Sequence, residues 1–193
     1  MATLTLSKGS NLSLTKADPQ LRRAMIGLGW DPRTTAGEQF DLDASALLVT
    51  ASGKVRSNDD FIFYNQLSSK DGSVVHQGDN RTGEGEGDDE QILIDLNLVP
   101  AEIEKIVIVV SIDQAEARRQ SFGQVRDAFC RVVNEDTNSE IVRYDLTEDA
   151  AAETCMIFAE LYRNNGDWKF RAVGQGYATG LRGIATDFGI GLD

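Results

Sequence analysis

Short runs of alternating or β-branched residues, each closed by turn-forming Gly, Asn, Asp or Ser, recur along all 193 residues of the chain. That recurrence constrains the fold more than any other feature, because it points to an all-β dominated sandwich or barrel. The runs fall at 3–6, 11–15, 23–29, 40–50, 61–64, 74–77, 91–96, 105–112, 125–133, 141–146, 155–163 and 168–173. The last two are separated only by Asn164, Asn165, Gly166 and Asp167, a hairpin signal. Helices are expected to be few and short. Asp113 with Glu116 resembles a capping box opening a turn or two over 114–120, and 179–188 reads as a C-terminal helix despite Gly180 and Gly183. Residues 153–162 have helical spacing as well, but are assigned to a strand.

With 41% hydrophobic and 26% charged residues the chain is expected to fold, and with no linker, repeat or heptad it reads as a single domain over 1–193. No apolar stretch reaches membrane-spanning length, and the N-terminal MATLTLSKGSNLSL lacks a basic start and a continuous apolar run. The expected location is therefore the cytoplasm. Cys130 and Cys155 sit in apolar runs without Cys-x-x-Cys spacing, so both are expected to be buried, inert thiols. Acidic residues outnumber basic ones 31 to 19, giving a net charge of −12. Such a surface disfavours nucleic acid and favours cations or basic partners.

The acids are not evenly spread. Residues 78–90 read GDNRTGEGEGDDE, in which Asp79, Glu84, Glu86, Asp88, Asp89 and Glu90 are offset only by Arg81. Two unit charges about 4 Å apart repel by about 4 kcal/mol at an effective dielectric of about 20, so an ordered loop of this kind requires a counterion. Gly83, Gly85 and Gly87 alternate with the acids, a pattern that lets carboxylates and carbonyls turn toward one centre. The run lies between two strand-like segments, so its ends are tethered. Upstream, FDLDASA places Asp41 and Asp43 on the strand face opposite Phe40, Leu42 and Ala44. If the strands around Trp30 and Phe40 pair as a hairpin over the polar 31–39 loop, Asp31 falls near Asp41 at one sheet end. The alternative for all of these is solvated strand and loop carboxylates.

A convergent set of this kind offers hard oxygens only, in a number that suits calcium, with its six to eight ligands, better than magnesium; two adjacent ions would be accommodated. Zinc lacks grouped thiolates or imidazoles. Asp79 to Glu90 spans an EF-hand length, but Arg81, Gly83 and Glu84 occupy the wrong positions and the flanks read as strands. The competing enzyme reading, a metal-dependent hydrolase using the acidic cluster, lacks a convincing base: His76 is the only histidine. Gly174 to Gly180, GQGYATG, lacks the Walker lysine and dinucleotide spacing and reads as a turn. Trp30, Trp168 and Tyr177 read as core or rim aromatics, and Arg118, Arg119 and Arg126 as a small basic patch on a solvated helix face.

Taken in order, LSKGSNLSL, GLGWDPR, FDLDASA, FIFYNQL, GDNRTGEGEGDDE, RRQSFGQV, RYDLTED and GDWKFRAVGQGYATGL resemble the TerD family of tellurium-resistance and stress proteins over nearly the whole chain. The resemblance implies a two-sheet β-sandwich that binds calcium at one end. It implies a role in resistance to tellurite, phage and pore-forming colicins, and association with other Ter proteins at the inner membrane. Carried over by motif, its metal positions are Asp31, Asp41, Asp43, Asp79, Glu84, Glu86, Asp88, Asp89 and Glu90, with Asn80 adding a side-chain oxygen.

Overall fold

Alternation of buried and exposed residues is realised as strands throughout the computed structural model, which describes residues 3–31, 37–78, 87–146 and 152–191. The described chain begins with β1 (Leu4–Leu6), β2 (Asn11–Ser13), a single helical turn α1 (Leu14–Ala17), β3 (Arg23–Asp31), β4 (Leu42–Thr50), β5 (Phe61–Ile62) and β6 (Val74–His76). It continues with β7 (Glu90–Asp95), β8 (Ile103–Ile112), α2 (Ala115–Arg118), β9 (Arg126–Asn134), β10 (Ser139–Asp145), β11 (Cys155–Asn164), β12 (Asp167–Tyr177) and α3 (Gly180–Phe188).

The strands form two six-stranded sheets, ordered β1-β10-β9-β3-β7-β6 and β2-β12-β11-β8-β4-β5. Among the described strands, only β1 with β10 is parallel. Between the sheets lies the main core, to which β3 gives Ala24, Ile26 and Leu28, β4 gives Leu42, Ala44, Ala46 and Leu48, and β7 gives Ile92 and Ile94. These are the every-second residues of each strand, as a two-layer sandwich demands. β4 and β8 are apolar on both faces because the second sheet is also covered outside. There Leu47, Val49, Val107 and Val109 pack with Ile184 and Ala185 of α3.

The hairpin expected at 164–167 forms between β11 and β12, with Asn165 and Gly166 both at positive φ, 53° and 85°. Those are the dihedral signs of a type I′ turn, which Asn-Gly favours. Within 153–162 the chain is strand from Cys155 on, not helix, since its central position between β12 and β8 offers hydrogen bonds on both edges. α2 is shorter than expected: Gln114 is left-handed with no side-chain cap, so the Asp113 capping box does not form.

One expectation about topology is overturned. β3 and β4 are not a hairpin; β3 pairs with β7 and β9, and β4 with β5 and β8. The chain between them crosses from one sheet to the other. Even so, the end of β3 and the start of β4 lie at the same end of the sandwich, since Ala44 of β4 hydrogen-bonds Glu90, whose strand pairs with the end of β3.

Candidate metal centre

The end of β3 is shaped by its two neighbours. Register sets Leu28 opposite Glu90 of β7 and Asp31 opposite Arg126 of β9. Immediately before β7 the chain folds over β3: Asp89 donates its backbone N–H to the Leu28 carbonyl (2.7 Å), and its Oδ2 accepts from the Trp30 backbone N–H (2.9 Å). The close approach depends on Gly27 and Gly29. A Cβ at 27 would collide with the Asp88 carboxyl, and one at 29 with the Phe129 ring. Two glycines spaced by two on one strand mark such a backbone approach, and this is the signal in GLGWD that points to the site beyond its aspartate.

Three carboxylates lie near enough here for Asp88 and Asp31 to act electrostatically on Asp89. Asp88 is held by Arg131, whose Nε donates to Oδ1 at 2.7 Å, and by Gln91. Arg131 also donates to Glu140, at 2.7 Å. The Asp89 carboxyl titrates above its ordinary value, first through burial and then through the charges of Asp88 and Asp31, against the pull of the Trp30 N–H. Asp31 is raised as well, by desolvation and then by its hydrogen bond and charge interaction with Asp127, with Arg126 opposing. Asp31 and Asp89 would therefore each be favoured in their charged form by a nearby positive charge.

Glu90 serves a different purpose. It is 2% exposed and points between the sheets, where Oε2 accepts from the Ala44 backbone N–H (2.5 Å) and lies 3.5 Å from His76 Nε2. His76, 3% exposed, accepts the Gly78 N–H at Nδ1 (3.2 Å), and its Nε2 lies 3.2 Å from the Ala44 carbonyl. With Gln77 donating to the Gln91 carbonyl, this arrangement clamps both ends of the acidic run. Asp79, Asn80, Glu84 and Glu86 of that run lie outside the described residues.

Asp41 and Asp43 take other positions. Asp41 is 5% exposed; its carbonyl accepts the Asp113 N–H, and its Oδ2 lies 3.8 Å from an Arg118 nitrogen. Arg118 also meets Glu38 (3.1 Å) and Asp113 (3.4 Å), while Gln120 donates to the Glu38 and Gln39 carbonyls. Arg118 is thus not part of a solvated basic patch. It is the cation between the buried Asp41, the half-buried Asp113 and the exposed Glu38, and ties the 37–41 segment to the loop after β8. Asp43 lies on the outer face of the second sheet, opposite Ser111 of β8. Among the described residues, no three Asp, Glu, His or Cys side chains are grouped so as to hold a metal ion by themselves.

The same fold occurs in the crystal structure of a homologue of telluride resistance protein (TerD) from Streptomyces coelicolor A3(2). That structure is 23% identical, with a TM-score of 0.70, covering 86% of this chain and 95% of the other. Sequence carries the comparison further, because the TerD domain matches residues 1–188. The chain belongs to the TerD family. Tellurium resistance protein TerD of Serratia marcescens is 61% identical over 188 residues, 97% of this chain and 98% of the relative. General stress protein 16U of Bacillus subtilis (strain 168) is 56% identical over 189 residues, with the same coverage. In this TerD-family chain the GLGWD run is thus both the end of a central strand and the bed on which Asp88 and Asp89 rest.

Proposed function

We propose that this TerD-family chain is a calcium-binding module of tellurite and stress resistance, acting by binding rather than catalysis. Calcium orders its acidic end, and the ordered end is presented to other Ter proteins at the cytoplasmic membrane. The observation that supports this reading is the mutual electrostatic influence of Asp31 and Asp89 at one strand end, reinforced by the charge of Asp88, where Asp31 and Asp89 already hold protons more tightly than ordinary carboxylates. A divalent, oxygen-seeking ion relieves that repulsion, and the donor set contains no soft ligand.

In this proposal Asp31 and Asp89 contribute carboxylate oxygens directly, with Asp79, Asn80, Glu84 and Glu86 brought in by the acidic run. Asp88, through Arg131, and Glu90, through Ala44 and His76, fix the path of that run. Asp41 sets the facing loop through Arg118, and Asp43 stands beside it on β4. The resistance role is supported by the relatives compared above, a tellurium resistance protein and a general stress protein. A binding role is favoured over hydrolysis because the sole histidine is buried and both its ring nitrogens face backbone or carboxylate partners. It does not act as an exposed base.

Thermal melting in calcium, in magnesium and in chelator tests the reading. Calcium at about a hundred times its dissociation constant should add about 2.7 kcal/mol of stability. Superimposable melting curves would rule it out. Calcium-dependent capture of membrane-associated Ter proteins, lost in chelator, tests the partner.

A further inference from the structure

The end of the sandwich opposite the acidic run holds a cavity of about 400 Å³. Strand direction places it there. Antiparallel to β3, β7 leaves the acidic end at Glu90 and reaches the far end at Asp95, just before the cavity-lining Leu96, Asn97 and Val99. β11 likewise starts at the acidic end, with Cys155 opposite Ser111, and turns into β12 at the far end, where Arg163, Gly166 and Trp168 line the same space. The remaining wall follows α1. That turn stops at Ala17, since Pro19 disfavours helix in the residue before it, and Asp18 caps it facing the cavity.

Two opposite charges line this cavity without pairing. Arg163 lies over the Trp168 ring, its Cζ 4.6 Å from the centroid, and donates through Nε to the Ile103 carbonyl (3.0 Å) and through Nη2 to the carbonyls of Val99 (2.9 Å) and Pro100 (3.3 Å). Stacking and backbone acceptors together fix the plane of its guanidinium. Its Nη1 donors have no partner among the described residues, and no carboxylate among them pairs with it. Asp18 accepts from the Gln20 N–H (3.0 Å) and from the Asn134 side-chain amide (2.6 Å), both neutral donors, and pairs with no Lys or Arg among the described residues. By contrast Arg56, Arg118 and Arg131 each face two or more carboxylates.

We infer that this cavity binds a small apolar zwitterion, an amino acid or short peptide, with its carboxylate on Arg163 Nη1 and its ammonium on Asp18. An anion alone would gain Arg163 but meet Asp18 and the net charge of −12. A cation alone would gain Asp18 but meet a guanidinium that its backbone contacts hold in place. A zwitterion satisfies both charges and carries no net charge into the protein's field. A metal ion fits poorly, because the cavity offers it one carboxylate beside a fixed positive charge. Leu96, Val99 and Trp168, buried at the wall, accept an aliphatic body. The volume falls within the roughly 300–1,000 Å³ of small-molecule sites.

The test is a titration of the ¹⁵N-labelled protein, in chelator at about pH 6.5 where an α-amino group is charged, followed by amide chemical shifts. The probes are leucine, leucinamide, which keeps only the ammonium, and N-acetyl-leucine, which keeps only the carboxylate. Leucine should give saturable shifts at Asn97, Gly166 and Trp168, and each analogue should bind at least about tenfold more weakly, for loss of one charge-assisted hydrogen bond. Asp18→Asn should erase the advantage of leucine over N-acetyl-leucine while keeping its advantage over leucinamide, a split that a purely structural role of Asp18 would not produce. The probe series uses the unaltered protein, so it decides the inference even if the variant fails to fold. Equal affinity for either analogue, no saturation by about 10 mM leucine or leucyl-glycine, or shifts confined to the acidic end would each overturn it. Tighter binding of leucyl-glycine than of leucine identifies a short peptide as the source of the zwitterion; the reverse order identifies a free amino acid. The cavity and the acidic run lie at opposite ends and chelator is present throughout, so the result is independent of the calcium reading.

Discussion

The Asp88 carboxyl occupies the space that a side chain at Gly27 would fill. From there it reaches Arg131 on the neighbouring strand, and it brings Asp89 onto the backbone of Leu28 and Trp30. The acidic run therefore enters β7 along a path set by an absent Cβ.

A methyl group at that position tests the relationship. Gly27→Ala should cost about 1–3 kcal/mol by overpacking, read as a lower denaturant midpoint with an unchanged slope. The double variant with Asp88→Gly removes the colliding group, and should cost less than the two single changes added together. Strict additivity in that cycle would mean that the two positions do not meet.

Much of this was legible beforehand, and the reasons for the exceptions are physical. Strand positions, the Asn165-Gly166 turn and the burial of both cysteines follow from local pattern, which reports faces and turns directly. Pairing partners do not. A period of two says that Asp41 and Asp43 face away from Leu42 and Ala44, but it cannot say whether β4 continues the sheet of β3 or crosses to the other. The same blindness applied to Arg118. Its neighbours are polar, so it read as solvated, whereas its actual partners Glu38 and Asp41 lie far away in sequence. Asp88 and Asp89 stand out as candidates because charge density is visible in composition, whereas Asp31 is drawn in through a β3–β4 hairpin that does not form. Ser45 was missed, since a serine in an apolar run gives no sign that its hydroxyl lacks a partner among the described residues.

The thiols give a second prediction. Cys130 and Cys155 are fully buried in the main core and beneath α3, and burial raises both, Cys155 to about 12. Thiolate is the reactive form, so neither should react with a disulfide reagent at about pH 8, where a free cysteine is partly ionised. Both should react on unfolding in guanidinium. The double Cys→Ala variant should also retain tellurite resistance in cells; loss of resistance in a variant that still folds would point to thiol chemistry instead.

The last prediction concerns acid. Arg56 joins three carboxylates: its guanidinium donates to Asp60 (2.6 and 2.9 Å), to Glu102 (2.6 Å) and to Asp71 (3.4 Å). Asp60 is 3% exposed, so replacing Arg56 with Met strands a buried charge and should cost about 3–5 kcal/mol near neutral pH. Burial alone would raise Asp71, but hydrogen bonds from Ser73 and Ser69 and the contact with Arg56 outweigh it and hold its carboxyl below the ordinary value. A carboxylate depressed in the folded state stabilises the fold above its unfolded pKa of about 3.9, and that contribution fades as pH falls through the lower folded value. Asp71→Asn should therefore lower the urea midpoint near pH 6, and the gap from the parent protein should narrow as pH drops below about 3.9. A gap that stays constant from pH 6 down to the acid transition would show that Asp71 contributes through shape and neutral hydrogen bonds, leaving Asp60 as the carboxylate that makes Arg56 necessary.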